Sequence, residues 1–244
     1  IAMEGRKGPV HIDVPISVAD APSSGQGVLR KMASPVAPVG PDLEAAREAL
    51  KNAKCPLIIA GVDAMSEDAS VAVQEAAERL NAPVITTYKA KGLMPENHPL
   101  SMGGAGLSPK ADALLLPLVR AADVILAIGY DPIEMRAGWQ NPWDPETQTV
   151  IDITAEPNTH YMHHATYNII GNCAASVVAL LPEAGQTVWP DEAPKPAAEA
   201  LKTAFAPQGD WGPAHVIATC QAMLPADTLA PVGSGPPRLP LRPM

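Results

Sequence analysis

Residues 56–61, Pro-Leu-Ile-Ile-Ala-Gly, and residues 123–129, Asp-Val-Ile-Leu-Ala-Ile-Gly, are short apolar runs that each end in a glycine. Because these runs lack the alternation of a half-exposed strand, they predict strands that are covered on both faces, as in a parallel sheet. Similar runs lie at 83–87 and 149–153, and a weaker one lies at 168–171. The sequence therefore predicts several buried parallel strands.

Amphipathic helices are predicted between these strands. Apolar residues recur at intervals of three and four over 42–53, 66–80, 109–121 and 172–182. This alternation predicts an α/β fold in which a doubly wound, mostly parallel six-stranded sheet carries helices on both faces, as in Rossmann-like or NAD-binding-like domains. We expect this central domain to span residues 42–185.

The stretches on either side of the central domain are rich in proline. Gly8–Pro15 alternates apolar with polar side chains and predicts a short strand. A further helix is expected at 213–223. The Pro-rich and Gly-rich stretches predict connecting segments. The expected organisation is the end of one domain at 1–22, a linker at 23–41, a second linker at 186–210 and the truncated start of another domain at 211–244.

The composition disfavours several classes of function. With a net charge of −9 and no cluster of Lys or Arg, the chain is a poor partner for nucleic acids and anionic membranes. Cys55, Cys173 and Cys220 are far apart and form no Cys-x-x-Cys pair, so neither a disulfide framework nor a zinc site is expected. There is no signal peptide and no apolar run of about 18 residues, and we expect a cytoplasmic protein.

Four segments carry patterns that occur together in one family. They are Gly8–Pro15; residues 82–87 (Ala-Pro-Val-Ile-Thr-Thr) with 91–100 (Lys-Gly-Leu-Met-Pro-Glu-Asn-His-Pro-Leu); residues 122–129 (Ala-Asp-Val-Ile-Leu-Ala-Ile-Gly); and residues 150–157, in which Val-Ile-Asp-Ile precedes Glu-Pro. The second is the most specific, because it combines many residue types at fixed spacing. In order and distance, the segments resemble thiamine-diphosphate enzymes of the acetolactate synthase (large subunit) type.

This resemblance implies a parent enzyme that decarboxylates a 2-oxo acid and transfers a two-carbon unit. It also implies thiamine diphosphate and Mg²⁺ as cofactors and a homodimer or homotetramer as the assembly. In the family, a glutamate of the pyrimidine-binding domain activates the thiamine ring, and a Gly-Asp-Gly segment of the pyrophosphate-binding domain holds the metal. This sequence has no Gly-Asp-Gly, and the part that would carry the glutamate lies before Ile1. We therefore expect an inactive fragment without catalytic residues.

Alternatives to an acetolactate synthase remain open. Sulfoacetaldehyde acetyltransferase, oxalyl-CoA decarboxylase and glyoxylate carboligase share the same kind of central domain, and the sequence does not separate them. A stand-alone nucleotide-binding or structural domain is a further alternative. Gly8–Pro15 and the predicted helix 213–223 favour the enzyme, because a stand-alone domain would not carry these two flanking segments.

Some family members bind FAD or an adenine nucleotide at the carboxyl ends of the central strands, where a doubly wound sheet holds ligands. The corresponding residues here are Gly61, Thr86, Thr87, Gly103, Gly104, Gly106, Gly129, Arg136, Asp152 and Ile153. Residues 103–106 precede a helix start at Ser108 and could approach a phosphate through backbone amides. However, Asp63 would repel a phosphate, and residues 130–136 keep only the arginine of the flavin-binding pattern. FAD, ADP or an empty structural domain stay open.

Two further groups of side chains have alternative interpretations. Trp139 and Trp143 are expected either to cover the mouth of the domain or to form a subunit contact. His160, His163 and His164 are close in sequence, but loop histidines are mostly solvated or packed, so we expect no metal site.

Overall fold

Six short strands form one sheet in the computed structural model of the chain. The structure describes residues 2–3, 7–22, 25, 27, 31, 34–158, 161–183, 185, 187–225 and 228. The strands are β1 (Pro56–Ala60), β2 (Val84–Thr87), β3 (Ser101–Ala105), β4 (Val124–Ile128), β5 (Thr149–Thr154) and β6 (Tyr167–Ile170). The helices are α1 (Ile16–Ala19), α2 (Pro41–Asn52), α3 (Val62–Ser66), α4 (Ser70–Leu80), α5 (Pro109–Ala121), α6 (Cys173–Leu180), α7 (Pro194–Phe205) and α8 (Pro213–Met223).

The strand order across the sheet is β3-β2-β1-β4-β5-β6, and every neighbouring pair is parallel. The chain runs outward from β1 through β2 to β3, and then returns to the other side of β1 with β4. Ile58 of β1 faces Val84 of β2 on one side and Leu126 of β4 on the other. The predicted doubly wound sheet is confirmed, and its topological switch point lies between β1 and β4.

Side chains of the central strands pack against helices on both faces of the sheet. In β1, Ile58 and Ala60 join a core with α2, α4 and α6, whereas Leu57 and Ile59 join a second core with α5 and α7. Every residue of β1 and β4 is buried. The two helical layers therefore explain why these strands appear in the sequence as continuous apolar runs.

Strand β3 is an element that the sequence does not predict. Gly103 and Gly104, expected in a glycine-rich loop, lie within this strand, and Ile85 of β2 pairs with Gly103. The loop expectation is wrong because backbone pairing with β2 determines the conformation, whereas glycine contributes no side-chain signal. Only Gly106, with φ of +90°, lies beyond the strand.

The predicted helix 66–80 begins later than its apolar pattern suggests. Helix α3 ends at Ser66, Asp68 adopts a φ of +54°, and α4 begins at Ser70. A left-handed residue cannot continue a right-handed helix, so Asp68 separates the two. The other predicted helices agree with α2, α5, α6 and α8 to within two residues at each end.

Helix α7 lies within 186–210, which the sequence predicts to be a linker. Pro194 and Pro196 are in its first turn, where the missing N–H of proline breaks no helical hydrogen bond. Leu201 is fully buried in the core shared with α5. The linker interpretation is therefore wrong for these residues, because the prolines mark the start of a packed helix.

Replacing Leu201 by alanine is expected to lower the free energy of unfolding by about 2 kcal/mol, since the change leaves a cavity in the core. Leu224→Ala is the matched control, because Leu224 is 49% exposed and its truncation should cost less than about 0.5 kcal/mol. Urea denaturation followed by circular dichroism measures both values. Equal stability of the two variants would mean that α7 does not contribute to the core.

Gly8–Pro15, predicted to be a strand, forms no strand in the structure. Val10, Ile12 and Val14 are each at least 47% exposed. A strand needs a neighbour for its backbone N–H and C=O groups, and no strand of the described sheet pairs with this segment. The end of the last predicted segment, residues 231–244, lies outside the described residues.

Candidate functional site

The strands are parallel, so their carboxyl ends meet along one edge of the sheet, called the carboxyl edge below. The predicted contact residues at or near the ends of β1, β2, β4 and β5 are Gly61, Thr86, Thr87, Gly129, Asp152 and Ile153, and those in or after β3 are Gly103, Gly104 and Gly106. Arg136 follows a 3-10 turn, and its backbone N–H donates to the Gly106 carbonyl at 3.1 Å. The structure thus brings the predicted residues to one edge, but it gives most of them internal partners.

At the switch point, the loops after β1 and β4 touch through backbone atoms. A Cβ on Gly61 would lie 2.3 Å from the Gly129 carbonyl oxygen, and a Cβ on Gly129 would lie 2.2 Å from the Ala64 nitrogen. The Gly61 N–H donates to the Ile128 carbonyl at 2.8 Å, and the Gly129 N–H donates to the Ile153 carbonyl at 2.7 Å. Both glycines therefore allow close packing, and both amides are already used.

The N–H of Gly106 is directed at a carboxylate of α5. It donates to Asp112 Oδ1 at 2.8 Å, and Asp112 is only 6% exposed. Burial raises the pKa of Asp112, although this hydrogen bond and the nearby Trp139 and Arg136 groups favour its charged form. A Cβ on Gly106 would lie 2.2 Å from Met135 Sδ. Gly106 is therefore enclosed by the protein.

The two threonines at the end of β2 also face other parts of the chain. Thr86 Oγ1 donates to the Gly103 carbonyl at 3.3 Å. Thr87 is buried near Glu134, and no hydrogen bond of good geometry reaches the Thr87 hydroxyl or the Glu134 carboxyl oxygens. Burial raises the pKa of Glu134, and the nearby Thr87 hydroxyl and Lys89 ammonium oppose this increase only in part.

Tyr130, Trp143 and His163 form a ring cluster beyond the ends of β4 and β5. The His163 ring stacks on Tyr130 with centroids 5.7 Å apart and meets Trp143 edge-on at 4.9 Å. His163 Nε2 lies 2.8 Å from the Trp139 carbonyl oxygen, and Nδ1 lies 3.3 Å from the Tyr130 hydroxyl. A carbonyl can only accept, so Nε2 carries a proton and Nδ1 of the neutral ring accepts from Tyr130.

A shallow cavity of about 240 Å³, part of it open to solvent, lies between the ring cluster and β5. Asp152 and Asn158 contribute to its lining. Burial raises the pKa of Asp152 to about 7, a hydrogen bond with Asn158 lowers it, and the charges of Asp63 and Asp131 raise it further. Asp152 Oδ1 has no hydrogen-bond partner. The cavity therefore has an acidic wall, which disfavours anions above about pH 7, where Asp152 is ionised.

The segment with the most specific sequence pattern, residues 91–100, has internal ion pairs and hydrogen bonds. Lys91 lies 3.7 Å from Glu96. His98 Nδ1 accepts from the Leu100 N–H at 3.2 Å, and His98 Nε2 lies 3.2 Å from Glu78 of α4. These contacts join the connection between β2 and β3 to the helical layer, so the pattern has a structural role in this chain.

The sequence interpretation missed that Tyr130, Trp143 and His163 form one cluster, and it missed Asp112. Trp139 and Trp143 are 1% and 7% exposed, so within this chain they cover the mouth of the domain, which is one of the two expected roles. The two tryptophans indicated this cover in the sequence, but the sequence position of His163 did not indicate that its ring belongs to the cluster. Asp112 is an ordinary acid in the first turn of a helix, and its sequence position does not reveal its bond to Gly106.

Comparison with known proteins identifies the family. Residues 43–180, more than half of the chain, match the family described as thiamine pyrophosphate enzyme, central domain. The chain belongs to the thiamine pyrophosphate enzymes. The protein named probable acetolactate synthase large subunit in Methanocaldococcus jannaschii is 32% identical over 64% of this chain and 27% of its own length. A sulfoacetaldehyde acetyltransferase from Alcaligenes xylosoxydans xylosoxydans is 41% identical over 36% of this chain and 14% of its own length.

Solved structures of thiamine-dependent enzymes share the fold. A protein of Mycobacterium smegmatis, described as a thiamin diphosphate-dependent enzyme, superposes with a TM-score of 0.60 and 26% identity over 76% of this chain and 36% of that chain. Benzoylformate decarboxylase from Polynucleobacter necessarius gives a TM-score of 0.56 at 24% identity, a likeness of fold alone. The matched part of this thiamine pyrophosphate enzyme chain therefore spans only 14% to 36% of the length of these proteins.

The described residues offer no cluster of acidic, histidine or cysteine ligands for magnesium. No three His, Cys, Asp or Glu side chains within this part of the chain are grouped as a metal ion requires. The sequence also contains no Gly-Asp-Gly segment of the kind that holds the metal in this family. No catalytic step is therefore assigned to the residues of the carboxyl edge.

Proposed function

We propose that this chain is the central domain of a thiamine pyrophosphate enzyme that decarboxylates a 2-oxo acid and transfers the resulting two-carbon unit, as an acetolactate synthase does. In this proposal the domain supports neighbouring catalytic domains and contributes no reacting group. The observation that supports it most directly is the family match over 43–180, which coincides with the parallel sheet and the helices α2 to α6. Relatives named acetolactate synthase add support.

The cofactors of the proposed enzyme are thiamine diphosphate and Mg²⁺, and its substrate is a small 2-oxo acid. Relatives named sulfoacetaldehyde acetyltransferase and 2-ketoarginine decarboxylase match the same chain, so no individual substrate is proposed. The proposal does not include FAD or ADP, because the amides of Gly61, Gly106 and Gly129 are already bonded to oxygen atoms of the protein.

Assembly, location and domain boundaries stay predictions. We expect a homodimer or homotetramer in the cytoplasm, with the central domain at 42–185. None of the described helices combines the length and apolar character required to cross a membrane.

The proposal predicts that the chain of 244 residues alone will neither release CO₂ from pyruvate nor bind thiamine diphosphate with Mg²⁺. The reading frame that encodes this sequence should encode a Gly-Asp-Gly segment downstream, and the protein that includes it should release CO₂. Both proteins are assayed with the same cofactors, and titration calorimetry measures binding. Turnover by the short chain would contradict the proposal. A reading frame without the flanking domains would also contradict it and would favour a stand-alone domain.

A further inference from the structure

The crevice outside the switch point of a doubly wound sheet is where such folds bind dinucleotides. In this chain, side chains and backbone groups of the protein itself fill that region. We infer that groups of the protein itself occupy the carboxyl edge, so that the central domain binds neither FAD nor ADP. The ring cluster and the hydrogen-bonded glycines Gly61, Gly106 and Gly129 lie where such a nucleotide would bind. This inference concerns the central domain and does not depend on the reaction of the parent enzyme.

The diphosphate of a nucleotide would lack hydrogen-bond donors at this edge. Phosphates bind at glycine-rich turns and helix N-termini because the backbone N–H groups there are free. The amides of Gly61, Gly106 and Gly129 all donate to oxygen atoms of the protein. At the start of α5, the Ser108 side chain accepts from the Ala111 N–H at 3.4 Å. The amides of Gly61, Gly106, Ala111 and Gly129 are thus already satisfied.

Buried acidic side chains at the edge also oppose an anion, because each one that ionises adds a like charge. Asp63, Asp112 and Glu134 are all at most 6% exposed, and Asp152 lines the cavity. In a partly buried site, water screens the repulsion between a phosphate and these carboxylates only weakly. Arg136 also reaches this edge, but its side chain is exposed. A diphosphate would therefore meet several carboxyl groups, with Lys89 and Arg136 as the nearby cations.

A planar heterocycle would compete with the ring of His163 for its place. That ring is stacked on Tyr130, meets Trp143 edge-on, and makes hydrogen bonds through both nitrogens. The cavity that remains, about 240 Å³ including its open part, is lined by the rings of the cluster itself. An adenine or flavin ring could enter only if His163 left.

The decisive test is nucleotide binding by the unmodified chain. Denaturing the purified protein should release no FAD or ADP, and about 1 mM of either should shift the Tm by less than about 1 °C, whereas a ligand bound at one hundred times its Kd shifts the Tm by several degrees. A copurifying nucleotide near one per chain, or saturable binding of FAD or ADP, would overturn the inference. Neither readout involves thiamine diphosphate, so the result is separate from the test of the proposed function.

A His163→Gly variant tests the ring cluster directly. The substitution leaves an imidazole-sized space between Tyr130 and Trp143, so added imidazole should raise the Tm of the variant in a saturable manner. The unmodified chain, in which His163 fills that space, should not respond. A folded variant that ignores imidazole would show that His163 does not occupy a ring-binding space. If the variant does not fold, nucleotide binding by the unmodified chain decides the question.

Discussion

Gly129→Ala is expected to lower the free energy of unfolding by roughly 5 kcal/mol, which places it among the most damaging single substitutions. Gly129 has a φ of +59°, a conformation that costs an L-residue about 1–2 kcal/mol. The larger effect comes from the new Cβ, which would lie 2.2 Å from the Ala64 nitrogen and 2.9 Å from the Asp63 Cβ. These are atoms of α3 held by backbone hydrogen bonds, so the helix must move away from β4.

Gly104→Ala is the matched control for this change. Gly104 also lies on the carboxyl side of the sheet, but its new Cβ would meet nothing closer than the Thr86 carbonyl oxygen at 4.0 Å. We expect this control to change stability by less than about 1 kcal/mol. Urea denaturation followed by circular dichroism compares the two variants, and soluble yield is the readout if Gly129→Ala does not fold. Similar stability of both variants would show that the loops after β1 and β4 are not in close contact.

Most of the sheet could be predicted from the sequence because the burial of its strands is visible in their amino-acid pattern. Continuous apolar runs identify β1 and β4, since burial on both faces leaves no polar alternation. Gly103 and Gly104 of β3 carry no such signal, because only pairing with β2 makes that segment a strand. Helix α7 was not predicted for a different reason. Its prolines are equally typical of a linker, and only the burial of Leu201 distinguishes a packed helix.

The position of the candidate site could be predicted from the sequence, but its hydrogen bonds could not. Parallel strands must bring their carboxyl ends together, so Gly61, Gly106 and Gly129 were correctly expected at one edge. Whether a glycine amide faces a ligand or a protein oxygen depends on tertiary contacts, such as the one between Gly106 and Asp112. A pattern of glycines can therefore indicate close backbone packing as readily as a phosphate site. At this edge the structure favours packing.

Asp152→Asn is expected to stabilise the protein at pH 8 by about 3 kcal/mol. Burial, together with Asp63 and Asp131, raises the pKa of Asp152 from 3.8 to about 7 in the folded protein, against the hydrogen bond from Asn158. Because the folded pKa lies above the value of the unfolded chain, stability from this group is fully present below about pH 4 and is lost as the pH rises through 7. A difference of about three in pKa corresponds to about 4 kcal/mol, and the remaining exposure of the residue reduces the expected effect.

The pH dependence distinguishes this prediction from a general effect of removing an acid. Asparagine is neutral at every pH, so Asp152→Asn should match the unmodified chain within about 1 kcal/mol at pH 4 and exceed it at pH 8. Asp210→Asn removes the same charge at an exposed position and should change little at either pH. Urea denaturation at the two pH values measures all three proteins. A less stable Asp152→Asn at pH 8 would mean that the ionised carboxylate is favoured by its surroundings, which would contradict a raised pKa for Asp152.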